Sequence, residues 1–172
     1  MRKVEVVPYD PSWPEQFREE AEAIRQACAG IVSLRLHHIG STSVPGLAAK
    51  PILDLLGEAE SLEGIDAAEE RLAALGYEAR GENGIPGRRF FQKGGDARSH
   101  HLHLFRCGDA NVLRHLAFRD YLCACPEVVR AYGQLKKRLA ERFPADIEKY
   151  IAGKQEFVKQ TERKALQWIK DR

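Results

Sequence analysis

A short apolar stretch, Leu34 to Ile39, ends abruptly at Gly40-Ser41-Thr42-Ser43-Val44-Pro45-Gly46, and a second one, Pro51 to Leu56, follows with a carboxylate, Asp54, inside it. Both stretches read as strands, and the segment between them as a turn rich in glycine and hydroxyl groups. No other feature constrains the fold as much, because a strand buried along most of its length cannot carry an acid unless something compensates it. Glycine lets the backbone approach a ligand closely, and exposed amides with the Ser41, Thr42 and Ser43 hydroxyls offer neutral donors to phosphate oxygens. Lys50 adds a point charge, and Asp54 is placed to hold the Mg²⁺ that accompanies the phosphates of a nucleotide. The plainer alternative is a tight turn whose hydroxyls satisfy their own backbone, with Asp54 paired to a lysine.

Upstream, Ser12 is placed to cap a helix beginning at Trp13-Pro14, and Trp13, Phe17, Ala21, Ile24 and Cys28 share one face of it. Downstream, Glu63 to Leu75 has helical periodicity through Ile65, Ala68, Leu72 and Leu75, closed by Gly76. Arg88 to Lys93 and His101 to Arg106 are strand candidates joined through Gly94-Gly95-Asp96. After that the pattern is helical: Asp109 caps a helix to about Cys123, Pro126 starts another to Phe143, and a last helix follows Pro144-Ala145 to about Lys170. The expected fold class is α/β of the α+β kind, a small mixed sheet with an N-terminal helix and C-terminal helices packed against it. One domain is expected over residues 1–172, with a mixed α/β core in 1–107 and a helical part in 108–172.

Composition then removes several classes of function. A chain of 172 residues, 44% hydrophobic and 30% charged, buries a core without help from disulfides or metal. No apolar run approaches the ~18 residues of a membrane span. Met1-Arg2-Lys3 followed by Val4, Glu5 and Val6 lacks the continuous hydrophobic segment of a secretory signal. Cys28, Cys107, Cys123 and Cys125 are too few and too unevenly spaced for a disulfide framework or a paired zinc site; they read as reduced thiols, which sets the expected location in the cytoplasm. Cys123 and Cys125 are expected to be packing residues. Residues 126–172 carry 12 Lys+Arg against 7 Asp+Glu, so this part can face an anionic ligand or simply present a solvated charged surface. The net charge of +2 is small and no strand interleaves aromatic with basic residues, which argues against a nucleic-acid surface.

On a strand, His101 and His103 point to one face. They can ligate a transition metal with Asp54, shuttle a proton or donate to phosphate, or they can be partly buried histidines bonded to neighbouring carbonyls. Arg88 and Arg89 alternate faces, so only one can join the histidines; either can neutralise a phosphate or serve solubility. Tyr150 and Lys154 lie on one side of the last helix, and Lys136 and Lys137 add charge from the helix before it. Together they suit a wall that stacks and neutralises a nucleotide over the sheet, or else a solvated face. Asp120 shares a stripe with Leu113, Leu116 and Ala117 and needs a partner, be it Arg119, Lys50 or a backbone amide, or else binds a ligand's hydroxyl.

The segments Tyr9-Asp10-Pro11-Ser12-Trp13-Pro14, His38 to Asp54, Gly87-Arg88-Arg89-Phe90-Phe91, His101-Leu102-His103 and Phe118-Arg119-Asp120-Tyr121-Leu122 together resemble the GrpB family over nearly the whole chain. The resemblance implies the nucleotidyltransferase superfold, shared with aminoglycoside nucleotidyltransferases and polymerase β-like enzymes. Its hallmark is a Gly-Ser turn, then a strand patterned Asp-hydrophobic-Asp/Glu, then a third acid on a neighbouring strand. Gly40-Ser41 and Asp54 match the first two parts. Leu56 stands where the second acid sits in active members, and Glu58 lies about 13 Å from Asp54 along an extended strand, too far to share a metal. His101 and His103 stand where the third acid would be.

By resemblance, the protein would bind an NTP or other phosphorylated ligand with a divalent metal, Mg²⁺, Mn²⁺ or a transition metal, and transfer a nucleotidyl or phosphoryl group to an acceptor. Asp54, His101, His103 and Lys50 would be catalytic, and the first three would also hold the metal. Gly40, Ser41, Thr42, Ser43, Lys50, Arg88, Arg89, Tyr150 and Lys154 would bind the nucleotide or phosphorylated small molecule. The alternative is a non-catalytic module for such a ligand. That module would be accessory to coenzyme A metabolism, because family members occur fused to a dephospho-coenzyme A kinase.

Overall fold

The structure, a computed structural model, describes residues 3–172; Met1 and Arg2, the start of the stretch read as lacking a secretory signal, lie outside it. Trp13, Ala21, Ile24 and Cys28 are buried on one side of helix α1, Trp13–Cys28, as their spacing predicts, with Phe17 packed against the same cluster. Ser12 does not cap this helix with its side chain. Its hydroxyl and its amide both donate to Asp10 Oδ1, at 2.7 and 2.8 Å, an Asx-type turn that competes with the cap.

Strand β1, Arg35–Ile39, leads through a 3₁₀ turn at Ser41–Ser43 to β2, Leu53–Ala59. Helices α2, Leu62–Ala67, and α3, Glu69–Ala74, stand where one helix from Glu63 to Leu75 is expected. They part at Ala68, fully buried, whose amide turns to the Ile65 carbonyl in a tighter, 3₁₀-like bond. Gly76 then takes φ 100°, the left-handed conformation its position predicts. An edge strand follows, β3, Tyr77–Ala79, in which only Tyr77 is buried, too little alternation to be seen in the sequence. Strands β4, Arg89–Lys93, and β5, His100–Arg106, complete a five-stranded sheet of order β1-β2-β5-β4-β3, in which β2 and β5 are parallel and the other pairs antiparallel. Helices α4, Ala110–Ala124, α5, Pro126–Arg142, and α6, Ile147–Lys170, fall where the periodicity puts them, α4 capped by Asp109. The fold is thus the expected mixed α/β class.

Leu53, Leu55 and Ala59 of β2 and Leu102 and Leu104 of β5 face α1, α2 and α3 in the main core. Each fully buried leucine there contributes roughly 1.5–3 kcal/mol. The opposite face carries Ile39, Leu56 and Phe105, sealed by Val112 and Leu116 of α4, and continues into Asp54, His101 and His103. Residues 4–7 run across both parts of the chain. Val4 donates its amide to the Pro144 carbonyl at 3.0 Å, and Val7 exchanges two backbone bonds with Ala49, at 2.9 and 3.0 Å.

Candidate functional site

Gly40 takes φ 73°, ψ −173°, a conformation essentially restricted to glycine. The turn it opens is held by its own hydroxyls. Ser43 donates both its amide, at 3.1 Å, and its side chain, at 2.5 Å, to the Gly40 carbonyl, and Thr42, 1% exposed, lies 2.9 Å from His38 Nε2. His38 stacks on Phe17 with ring centroids 5.0 Å apart, and burial pushes its pKa down to about 4, so it meets the Thr42 hydroxyl as a neutral ring. Arg119 of α4 donates to the His38 carbonyl at 3.2 Å and to Asp120 at 2.9 Å, which gives Asp120 the partner its position demands.

Asp54 opens onto a cavity of about 450 Å³ lined by Ser41, Thr42, Lys50, Arg88, His101, His103, Lys136, Tyr150 and Lys154. His103 Nε2 lies 3.2 Å and His101 Nδ1 3.4 Å from the same oxygen, Asp54 Oδ1. Each imidazole has a guanidinium behind it: Arg88 Nη1 is 3.3 Å from His103 Nδ1, and Arg98 Nη1 is 3.1 Å from His101 Nε2. A guanidinium can only donate, so the ring nitrogen facing it accepts and the imidazole proton sits on the nitrogen facing Asp54. His103 is thus set to donate to the carboxylate, and His101 stands at the edge of hydrogen-bond range of the same oxygen. Burial on its own would raise the Asp54 pKa, but the hydrogen bonds from His101 and His103 outweigh it and hold the carboxyl well below its usual range. The compensation that an acid in a buried strand requires comes from two histidines and not from a lysine.

The opposite wall is cationic. Lys50 and Lys154 each place their ammonium 5.2 Å from the centre of the Tyr150 ring, and Lys136 stands 4.7 Å from that of Tyr132. Lys136 is only 1% exposed, and among the described residues it has no carboxylate within salt-bridge distance. Burial, reinforced by Lys154 and Lys50, pushes its pKa well below the ordinary 10.5. Sequence reasoning passed over Lys136 as added charge, although it shares the apolar stripe of α5 with Tyr132, Gly133 and Leu139, and a lysine on such a stripe is the signal. His115, Arg98 and His38 were also missed. His115 packs 5.4 Å from His103, and burial, with His103 and Arg114 nearby, brings its pKa down to about 3.

Three expected site residues, Arg89, Ser43 and Gly40, lie outside the cavity lining. Arg89 points away and pairs with Asp66 at 2.7 Å, because the register that sets Phe90 opposite His103 sends its neighbour to the other face. The Ser43 hydroxyl is consumed by the Gly40 carbonyl. Gly40 itself meets Asp54 and not the cavity, while Lys137 lines a different surface hollow. Cys123 is exposed and Cys125 half-exposed, so Cys123 does not pack as expected.

Mg²⁺ asks for near-octahedral oxygen ligands, usually including two carboxylates in a two-metal centre. Here the second-acid position holds Leu56, fully buried, and Glu58 is bonded to His37 at 2.8 Å. Among the described residues no group of three His, Cys, Asp or Glu side chains is disposed to hold a metal ion. The two imidazoles turn toward Asp54 Oδ1 and not toward a common point beyond it. These residues do not fit a two-metal centre. No helix among the described residues is long and apolar enough to cross a membrane.

Comparison with known proteins agrees with this architecture. The family profile described as "GrpB protein" matches residues 3–164. The UPF0157 protein YqkA of Bacillus subtilis (strain 168) is 47% identical over 171 residues, which is 99% of this chain and 50% of that protein, so the chain spans half its length. A dephospho-CoA kinase of Mycolicibacterium paratuberculosis is 29% identical over 96% of this chain and 46% of its own length. The crystal structure of conserved protein GrpB from Enterococcus faecalis superposes with a TM-score of 0.91 at 44% identity, covering 96% of this chain and 99% of that one. The Cid1 poly(U) polymerase bound to MgGTP superposes with a TM-score of 0.54 at 18% identity over 80% of this chain and 45% of its own, a likeness of fold alone. With that profile matched along nearly its full length, the chain belongs to the GrpB family.

Proposed function

We propose that the cavity over Asp54 binds the anionic end of a phosphorylated small molecule, with nucleoside polyphosphates as the favoured class. One observation carries the reading: Lys50, Lys136, Lys154 and Arg88 converge on a chamber whose lining, among the described residues, holds a single carboxylate, and Lys136 is buried with no described carboxylate at salt-bridge distance. Burying an unpaired ammonium is costly, and a bound phosphate offsets the cost. The Ser41 segment supplies neutral donors at the other side. The role is that of a binding module, set in the cytoplasm where such ligands are abundant. An accessory role in coenzyme A metabolism is a narrower form, supported by the similarity to a dephospho-CoA kinase. Mg²⁺ or Mn²⁺ enters this reading only as a counter-ion arriving with the phosphates, with Asp54 the carboxylate it would meet.

Transfer of a nucleotidyl or phosphoryl group is a second reading, favoured by the His103 bond and the nearby His101 at Asp54, which keep that carboxylate ionised and oriented beside the anion site. Calorimetric titration with inorganic tripolyphosphate and with NTPs tests the first reading: saturable binding that Lys136→Met weakens supports it, and no binding of either sinks it. Metal-dependent pyrophosphate release from an NTP, abolished by Asp54→Asn, would establish the second.

A further inference from the structure

The anion chamber does not end at Lys154. Lys154 and Ile151 of α6 line it on one side and, on the other, line a groove of about 820 Å³ between α4, α6 and the loop carrying Ile85. The two cavities differ in chemistry. The groove is walled by Ile85, Ile151, Ala152 and Val158, and its charges nearly cancel, with Arg114 paired to Glu162 across its far end. Ile151, 48% exposed, forms the sill between them. Gln155 stands in the groove with no hydrogen bond of its own among the described residues, an amide free to read the edge of a planar ring.

A cationic chamber joined through a shared wall to a near-neutral, apolar one suits a ligand with a charged head and an uncharged flat body. We infer that the groove between α4 and α6 is the heterocycle subsite of a nucleoside polyphosphate whose phosphates occupy the Asp54 cavity. The inference rests on the anion-binding reading above and adds to it the class of the ligand's other end. Lys154, at the junction, meets the phosphate nearest the sugar. Gln155 contacts the base edge, and Ala152 and Val158 form the floor beneath its plane.

The test is calorimetric titration of the whole chain with ATP, UTP and inorganic tripolyphosphate, on wild type, Ala152→Trp and Gln155→Ala. Ala152 is exposed on α6, so the indole fills the groove without entering the core. Wild type should bind at least one of the nucleotides about tenfold or more tighter than tripolyphosphate. Ala152→Trp should bring nucleotides down to the tripolyphosphate level while leaving tripolyphosphate within about twofold of wild type, and Gln155→Ala should shrink the difference between ATP and UTP. Equal binding of nucleotides and tripolyphosphate by wild type, or an undiminished nucleotide preference in Ala152→Trp, overturns the inference and leaves the anion site standing. Failure of tripolyphosphate and nucleotides alike overturns both.

Discussion

Gly40 and Asp54 touch: a β-carbon added at Gly40 would stand 2.6 Å from Asp54 Oδ2. The glycine of the turn is thus the surface against which the carboxylate rests, and φ 73° with ψ −173° closes the position to side chains a second time. Gly40→Ala should cost about 1–3 kcal/mol from the backbone alone, and more from the displaced carboxylate. Gly46→Ala, also at positive φ but with open space around it, is the control and should cost less. Urea unfolding of the two variants reads the difference.

Lys136→Met should raise the stability of the ligand-free protein while lowering its affinity for tripolyphosphate by about tenfold or more, since it removes both the desolvated ammonium and its attraction. The pH dependence follows from the lowered pKa. In the interval from that lowered pKa up to the ordinary 10.5, the unfolded chain holds a proton that the folded one has released, so wild-type stability gains with rising pH relative to Lys136→Met. Identical pH profiles for the two proteins would show that Lys136 is not desolvated.

On the acid side, His38 and His115 are held near about 4 and about 3, against an ordinary 6.5. As the pH falls below 6.5 the unfolded chain takes up protons that the folded one refuses, so stability drops through that window. Asp54 adds little between about pH 7 and about pH 5, because its own loss sets in only as the pH approaches 3.8. His115→Phe keeps a ring against His103 and Phe105 and should flatten the decline. Chemical-denaturation midpoints at about pH 7 and about pH 5 measure it.

Arg88 and Arg89 are adjacent, yet their removal should have different consequences. Arg88→Ala strips His103 of the donor that fixes its tautomer and removes a cation from the chamber, and should reduce anion affinity about tenfold or more. Arg89→Ala breaks a surface pair with Asp66, worth about 0–1 kcal/mol, and should leave affinity unchanged. Side-by-side titration of the two variants with tripolyphosphate reads this difference, and equal losses would contradict the register that sends the two side chains to opposite faces.

Much of this was legible in the chain. The Gly40 turn, the acid in a buried strand and the His101/His103 parity are local patterns, and local patterns survive folding. What compensates Asp54 was not legible, because its partners come from β5, forty-odd positions away, and their orientation is set by Arg88 and Arg98, which periodicity cannot place. Lys136 was hidden for the opposite reason: a lysine on a helix is ordinarily solvated, and only the packing of α5 against the Ser41 turn and α6 makes this one a buried charge. The break at Ala68 was invisible as well, since alanine is the best of helix formers and only the core it is pressed into bends the chain there.

The run from Val4 to Val7 has a consequence out of proportion to its size. It grips Pro144, between α5 and α6, with one end and Ala49, next to Lys50, with the other through backbone bonds, while Val4 buries its side chain against Leu139 and Tyr150 and Val7 packs on the main core. It works as a hasp between the lobe that owns the carboxylate and the lobe that owns two of the ammoniums. A proline at Val7, which removes one of the clasping amides, would loosen that tie and detune a cradle none of whose own atoms had been altered.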